Sequence, residues 1–441
     1  MTIPSAIKSE NHKPTGMGFW KCWSMSVGVM VSSGIFLLPT VLAPYGSISI
    51  LGWVLTSVGA ILLALILGRL AGGTDRAGGP YVYAHEAFGN LAGFLIAWGY
   101  WISVVFAVAA VSVAFAGYLG SLIPTIGQSK WIQAAVALAA IWILSGINLR
   151  SIAGAASVQL ALTLLKLIPL LLIVVLAIFV GSPENIPAFN PGDKPVGSAL
   201  AATALLTMWA FSGVEAAVVP AEDVIDPTRT IPRAVIAASL MVAALYIAVT
   251  VSVMALVPTA QLVASEAPMV DAVAALGPWG AILIAFGALV ATAGGLNGNI
   301  LLSGQMPMAV ALDGLAPKIF ARRNSGHAPA FSIIMSSTIS TILLLMNFAE
   351  GLVGAFVFLI SMSTLAVLSV YAISALAELR KSWTSARGWS IVAGISFAYT
   401  ILAAAGSGLS VLGWGLILFL VGVLIFYALK KAGISSNIKS D

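Results

Sequence analysis

Charge is what this chain has least of. Only 8% of its 441 residues are Asp, Glu, Lys or Arg, against 60% that are hydrophobic. A water-soluble domain carries roughly 25% charged residues to solvate its surface, so a soluble fold is excluded. Cysteine occurs once, as Cys22. One thiol cannot close an internal disulfide, and it reads as a small buried hydrophobe near the start of the first apolar run. Histidine occurs three times, as His12, His85 and His327. Each lies in the tail or near a loop, with no cysteine or carboxylate cluster beside it. No metal site, no cofactor and no metal-dependent enzyme chemistry are therefore expected. The first nineteen residues are polar and no small-residue cleavage site follows a short apolar core, so no cleavable signal peptide is expected either.

Long apolar runs are what the chain has instead. They fall near 20–44, 48–70, 86–120, 131–148, 152–181, 198–220, 233–257, 278–305, 331–349, 352–377, 389–406 and 410–429. About 20 residues span a hydrocarbon core of about 30 Å, so the expectation is an all-α membrane protein with twelve transmembrane helices. Residues 1–19 and 430–441 are read as cytoplasmic tails, flanking one transmembrane domain over 20–429. Placing the N-terminus in the cytoplasm puts seventeen of the 20 Lys and Arg in cytoplasmic segments. Only Lys130 and Lys194 fall outside, and Lys166 lies within a run. That bias follows the positive-inside rule and predicts an inner (plasma) membrane protein with both termini in the cytoplasm. The net charge of +5 then orients the protein and calls for no nucleic-acid partner.

The first and sixth runs share a motif. The first carries Ser33-Gly34-Ile35-Phe36 and then Pro39; the sixth carries Ser212-Gly213-Val214-Glu215 and then Pro220. Gly and Ser weaken a helix near mid-span, and freed backbone groups are tolerated in a bilayer only where they line a cavity or meet a solute. Small residues also let helices pack closely, which would explain one such pair. Two pairs five helices apart enter from opposite sides, as an inverted-topology repeat of a transporter requires. The repeats are placed at about 20–181 and 198–377, with two further helices at 389–429.

Two ionisable side chains sit well inside predicted spans, Lys166 and Glu215. Intramembrane charge costs about 2.5–3.5 kcal/mol at mid-span on insertion scales, so a functional role is the starting hypothesis. Lys166 either gives up a proton during transport or ties its helix to carbonyls of the broken first helix. Glu215 binds a cation, carries a proton, or bonds freed N–H groups of the half-helix. Trp209 lies one turn before the second Ser-Gly pair and is expected to face the same cavity, either as a stacking surface or as packing. Asn299, in a Gly-rich stretch of the eighth run, either bonds a neighbouring helix or faces a solute. Ser103 either does the same or bonds back to its own helix.

Five motifs in order resemble the amino acid–polyamine–organocation superfamily, in particular the branch of the bacterial arginine/agmatine antiporter. They are Val31-Ser32-Ser33-Gly34-Ile35-Phe36-Leu37-Leu38-Pro39, Ala77-Gly78-Gly79-Pro80-Tyr81-Val82-Tyr83 and Trp209-Ala210-Phe211-Ser212-Gly213-Val214-Glu215, then the segment Glu222 to Pro232 and Leu312-Asp313-Gly314-Leu315-Ala316-Pro317. The resemblance runs from about Gly18 to the last helix. It implies a LeuT-type five-plus-five inverted repeat with broken first and sixth helices, alternating access and no ATP site. It also implies that N–H groups of Ser33 and Gly34 take a substrate carboxylate, while carbonyls near Val29, Trp209 and Ser212 take the amine. Trp209 matches a stacking tryptophan, and Glu215 and Tyr100 match a gate on the extracellular side.

The departures bear on substrate. Asn299 stands where that branch has a second stacking tryptophan, Val29 and Val108 stand for pocket asparagines, and Ser369 stands for the tyrosine that partners the gate glutamate. Lys166 resembles instead the proton-coupled and neutral amino acid carriers, where the ammonium replaces a sodium ion. An ammonium roughly 6–8 Å from a bound dication repels it by about 2–3 kcal/mol at an effective dielectric near 20. The resulting expectation is a sodium-independent carrier of neutral amino acids, by proton symport or exchange, working as a monomer or homodimer. The alternative is a cationic amino acid or polyamine antiporter. The expected cavity lining is Val29, Ser33, Gly34, Ser103, Val104, Val108, Trp209, Ser212, Gly213 and Asn299, with Lys166, Glu215 and Tyr100 as coupling or gating residues.

Overall fold

The computed structural model describes residues 16–36, 38–265, 267–348, 352–406 and 409–432. His12, Leu37 and most of both tails, with Lys8, Lys13 and Lys439, lie outside the described residues. Among the described residues the secondary structure is helical, apart from one isolated parallel bridge between Met17 and Val224.

The chain opens with α1 (Phe19–Met30), a break, and a short α2 (Leu38–Leu42). There follow α3 (Ile48–Ala71), a short α4 (Pro80–Phe88), a long α5 (Asn90–Leu122), α6 (Pro124–Gly127), α7 (Lys130–Arg150) and α8 (Ile152–Val180). The same order then recurs. A second broken helix begins with α9 (Val196–Met208), followed by α10 (Pro227–Leu256), short α11 (Thr259–Ala264) and α12 (Pro268–Ala272), and a long α13 (Pro278–Leu312). Next come α14 (Ala330–Phe348) and α15 (Leu352–Ser382), and the chain closes with α16 (Arg387–Gly406) and α17 (Leu409–Lys431). The third spans of the two halves are the longest, at 33 and 35 residues.

Local chemistry explains where the helices start. Pro80, Pro124, Pro227, Pro268 and Pro278 stand at first-turn positions, where a missing N–H costs nothing and the fixed φ suits a helix. Ser129 and Ser151 cap α7 and α8 by accepting from Ile132 N and Gly154 N. Ten helices among the described residues are long and apolar enough to cross a membrane. The expected first and ninth runs are the ones not among them. The first is interrupted after Met30, and the ninth gives a shorter apolar helix, Ala330–Met346.

The two long helices pack along each other at the centre, α5 against α13, and α15 flanks α5. The apolar windows of α5 and α13 are 56% and 61% buried, those of α16 and α17 only 22% and 17%. The last two helices are therefore peripheral, and Leu402, Leu409 and Leu424 project from them largely exposed. Water would not tolerate such a surface, whereas lipid does. The chain is a multi-pass membrane protein.

Candidate functional site

Both helix breaks are held open by side chains from other helices. α1 ends at Met30, and the chain turns aside over Val31–Ser33 before a 3-10 turn at Gly34–Phe36. The last carbonyls of a helix have no partner within it. Lys166 Nζ, fully buried on α8, donates to Gly28 O at 2.7 Å and Val31 O at 2.5 Å. An ammonium suits that position, because the dipole leaves negative charge at a helix C-terminus. The Tyr246 hydroxyl of α10 reaches Met30 O at 2.8 Å.

The second break follows α9. A 3-10 turn over Trp209–Phe211 leads to Gly213 at φ 110°, a conformation that a residue with a Cβ rarely adopts. A Cβ there would also collide with Val29 of α1. The Gly213 N–H faces Glu215 Oε2 at 3.1 Å and the Tyr371 hydroxyl at 3.2 Å. The Tyr371 hydroxyl donates to the same carboxylate oxygen. Tyr246 lies 3.0 Å from Ala210 O as well, so one phenol touches both breaks. The rings of Trp53 and Phe211 hold it in place.

Between the breaks lies a cavity of about 60 Å³. Of the expected lining, the structure brings Val29, Ser103, Val104, Trp209, Ser212, Gly213 and Asn299 to it, together with Glu215. Asn299 Nδ2 donates back to Gly295 O at 2.8 Å, which leaves its carbonyl oxygen and its second N–H available to a solute. Ser103 bonds back to Tyr100 O at 2.9 Å, the plainer of its two readings. No Lys, Arg or His lines the cavity among the described residues.

Three expected residues do not line it. Ser33 and Val108 are buried in the packing, and Gly34 lies under the Trp209 ring, where any Cβ would collide with the indole. Lys166 also stands outside the lining, on the far side of α1. Ser32, Met30, Ala107, Val111, Ala210, Ser363 and Val367 were not anticipated. Ser32 adjoins the predicted pair, and its buried hydroxyl has no partner among the described residues. Ser363 and Val367 are one turn apart on α15, a spacing that small residues in any apolar helix can show.

Two expectations about the gate are corrected. The tyrosine that partners Glu215 is Tyr371, not Ser369. Ser369 Oγ bonds back to Ala366 O at 2.6 Å, and two residues along a helix turn a side chain to nearly the opposite face. Glu215 also lies on the other side of the cavity from that expected. α9 runs toward the break from Val196, and beyond Glu215 the chain reaches Asp223, whose backbone pairs with Met17 near the start of α1. Glu215 therefore sits between the cavity and the face from which α1 enters, the face the charge bias assigns to the cytoplasm. The Tyr100 hydroxyl also lies within electrostatic reach of the Glu215 carboxylate.

That face carries ion pairs at three of the motif segments. Arg76 Nη2 meets Asp313 Oδ2 at 2.5 Å, and the Tyr81 hydroxyl donates to the same oxygen at 2.6 Å. Burial beside the Asp313 carboxylate holds the Tyr81 phenol above its ordinary pKa, so it remains a donor. Arg323 pairs with Glu222 at 2.8 Å and with Asp223 at 3.4 Å, and Gln305 Nε2 donates to Asp223 at 3.1 Å.

Residues 17–438 match a family model described as amino acid permease. The chain is 30% identical over 454 aligned residues to a putative arginine/ornithine antiporter of Bacillus subtilis (strain 168), covering 93% of this chain and 96% of the relative. It is 32% identical over 351 residues to a putative arginine/ornithine antiporter of Escherichia coli (strain K12), covering 76% of each. It is likewise 32% identical over 349 residues, 76% of each, to a cadaverine/lysine antiporter of the same organism.

Proposed function

Because this chain belongs to the amino acid permease family, we propose that it exchanges basic amino acids, or such an amino acid against its diamine product, across a bacterial inner membrane by alternating access. One observation carries the choice of a cationic side chain. The cavity at the two breaks is lined by one carboxylate, Glu215, and one indole, Trp209, and by no basic group among the described residues. A carboxylate offsets a ligand cation directly, and an indole face attracts it by about 0.5–2 kcal/mol. The names of the relatives point the same way. Carbonyls at the end of α1 and the N–H groups beyond its break would take the α-amino and α-carboxylate groups. Exchange would be independent of sodium, because Lys166 Nζ already occupies the carbonyls of Gly28 and Val31.

The neutral substrate expected from Lys166 keeps one observation in its favour. Val29, Val104, Val111 and Val367 make much of the cavity wall apolar, and Glu215 Oε2 is already engaged by Gly213 and Tyr371. Counterflow in sodium-free proteoliposomes separates the two. Vesicles preloaded with arginine, ornithine, lysine or cadaverine should drive uptake of labelled arginine or lysine, and vesicles preloaded with alanine or leucine should not. Trans-stimulation by neutral amino acids alone would refute the cationic reading.

A further inference from the structure

Away from the cavity between the breaks, a second and larger one of about 320 Å³ opens between the end of α3, the short α4 and the end of α15. Its floor is apolar, with Leu70 and Ala377. Its rim carries Tyr83, Glu86, Arg380 and Lys381. Two cations thus stand side by side in the last turn of α15. Arg380 is held in place, with Nη1 donating to Ala87 O at 2.5 Å and its guanidinium 5.7 Å from the centre of the Phe88 ring. The Lys381 ammonium makes no hydrogen bond or ion pair among the described residues, though it lies within electrostatic reach of Glu378. Tyr83 is 3% exposed, and no hydrogen bond engages its hydroxyl among the described residues. Burial and the neighbouring Glu86 raise its pKa, so it is a neutral donor aimed at an open space. Glu86 is the one acid on the rim, and Arg76 lies 3.6 Å from it. Below the rim, Glu378 is matched by Arg69 at 2.8 Å. The local balance is positive.

The surroundings say where such a site sits. Phe88 and Trp383 are exposed beside it, and the Arg69 guanidinium lies 4.5 Å over the Trp389 ring. Aromatic side chains of this kind mark the level where headgroups meet hydrocarbon. The end of α15 is on the same face as Met17 and the ion pairs of Asp313 and Asp223, which the charge bias assigns to the cytoplasm. Anionic lipids give that leaflet a negative surface potential, and basic pockets between helices there take lipid headgroups.

We propose that this cavity binds the phosphodiester of an anionic phospholipid, with Arg380 and Lys381 meeting the phosphate oxygens, Tyr83 donating a third hydrogen bond, and Leu70 and Ala377 under the glycerol and first acyl carbons. Because Arg380 bridges α15 to the carbonyl of Ala87 in α4, a bound lipid would brace these two helices against each other. The test uses the full-length protein in zwitterionic detergent–lipid micelles, with lipid retention read by native mass spectrometry and thermal stability by melting. Phosphatidylglycerol should be retained in preference to phosphatidylcholine and should raise the melting temperature. Lys381→Gln and the double variant with Arg380→Gln should weaken that retention at least tenfold. Lys381→Gln removes no hydrogen bond, so it separates lost binding from lost folding. Arg387→Gln, which removes an exposed cation outside the cavity, should leave retention unchanged. Equal retention of the two lipids, or undiminished phosphatidylglycerol binding by Lys381→Gln, would overturn the proposal. Displacement of the lipid by millimolar inorganic phosphate, with the same stabilisation from phosphate alone, would reassign the cavity to a free anion.

Discussion

Replacing Lys166 by methionine removes the two bonds that hold the end of α1 while keeping most of the side chain's volume. A hydrogen bond from a charged group contributes about 1.5–3 kcal/mol, so the gross loss at Gly28 O and Val31 O is about 3–6 kcal/mol. Part of it is regained, because a buried ammonium carries a desolvation penalty of several kcal/mol that the thioether lacks. A net cost of about 2 kcal/mol to the broken conformation follows. If that conformation is the one that binds solute and is not in large excess beforehand, its population falls and the apparent Kd rises by up to roughly thirtyfold. The assay is equilibrium binding of labelled substrate to purified protein, alongside a melting curve to confirm folding. Exchange at saturating substrate should persist, because the lining of the cavity is unchanged. A folded variant that binds within threefold of the parent would refute the strut role. The same position tests proton coupling. If Lys166 carries a proton during transport, Lys166→Ala should lose accumulation driven by a pH gradient and keep exchange, and unaltered accumulation would refute a proton-carrying lysine.

Three further outcomes are expected. Gly213→Ala places a Cβ against Val29 at a positive φ, at a cost of about 1–3 kcal/mol in backbone strain alone, and counterflow should fall at least tenfold in protein that still folds; near-normal flux would refute the need for that geometry. Tyr371→Phe removes the hydroxyl shared by Glu215 and Gly213 and should change exchange rate or substrate leak, whereas Ser369→Ala should do neither; the reverse result would mean that the register of α15 is misassigned. Trp209→Leu should weaken binding of basic amino acids by about 0.5–2 kcal/mol, or roughly two- to thirtyfold, measured against a neutral amino acid whose affinity should change less.

What the sequence made legible was the backbone. Two Ser-Gly pairs in apolar runs located both breaks, because nothing but a cavity or a solute satisfies freed backbone groups in a bilayer. Side-chain register was harder to read. Ser369 and Tyr371 differ by two positions, and only the rotation of α15 decides which one meets Glu215. Val108 and Val104 lie one turn apart on α5, yet of the two only Val104 reaches the cavity. Tyr246 carried no signal at all. A tyrosine in an apolar run resembles any interfacial aromatic until its hydroxyl is found between Met30 O and Ala210 O. The side on which Glu215 lies was available from chain direction alone, since it follows Trp209 on a helix that enters from the opposite face to α1.

The position of Lys166 changes what it implies about substrate. The expected repulsion of about 2–3 kcal/mol treats the ammonium as a bare charge near the bound solute. In the structure it lies behind α1, against the carbonyl end of a helix whose dipole amounts to roughly −0.5 charge. Halving the effective charge brings the repulsion to about 1 kcal/mol, no more than a cation–π contact with Trp209 contributes. Lys166 then no longer excludes a cationic solute, and the deciding charge is the one that lines the cavity, Glu215. Selectivity should therefore follow Glu215 rather than Lys166. Glu215→Gln should reduce exchange of arginine and lysine by tenfold or more in the counterflow assay while affecting a neutral amino acid less. Equal losses for both classes would mean that Glu215 serves only to hold Gly213 and Tyr371 in place.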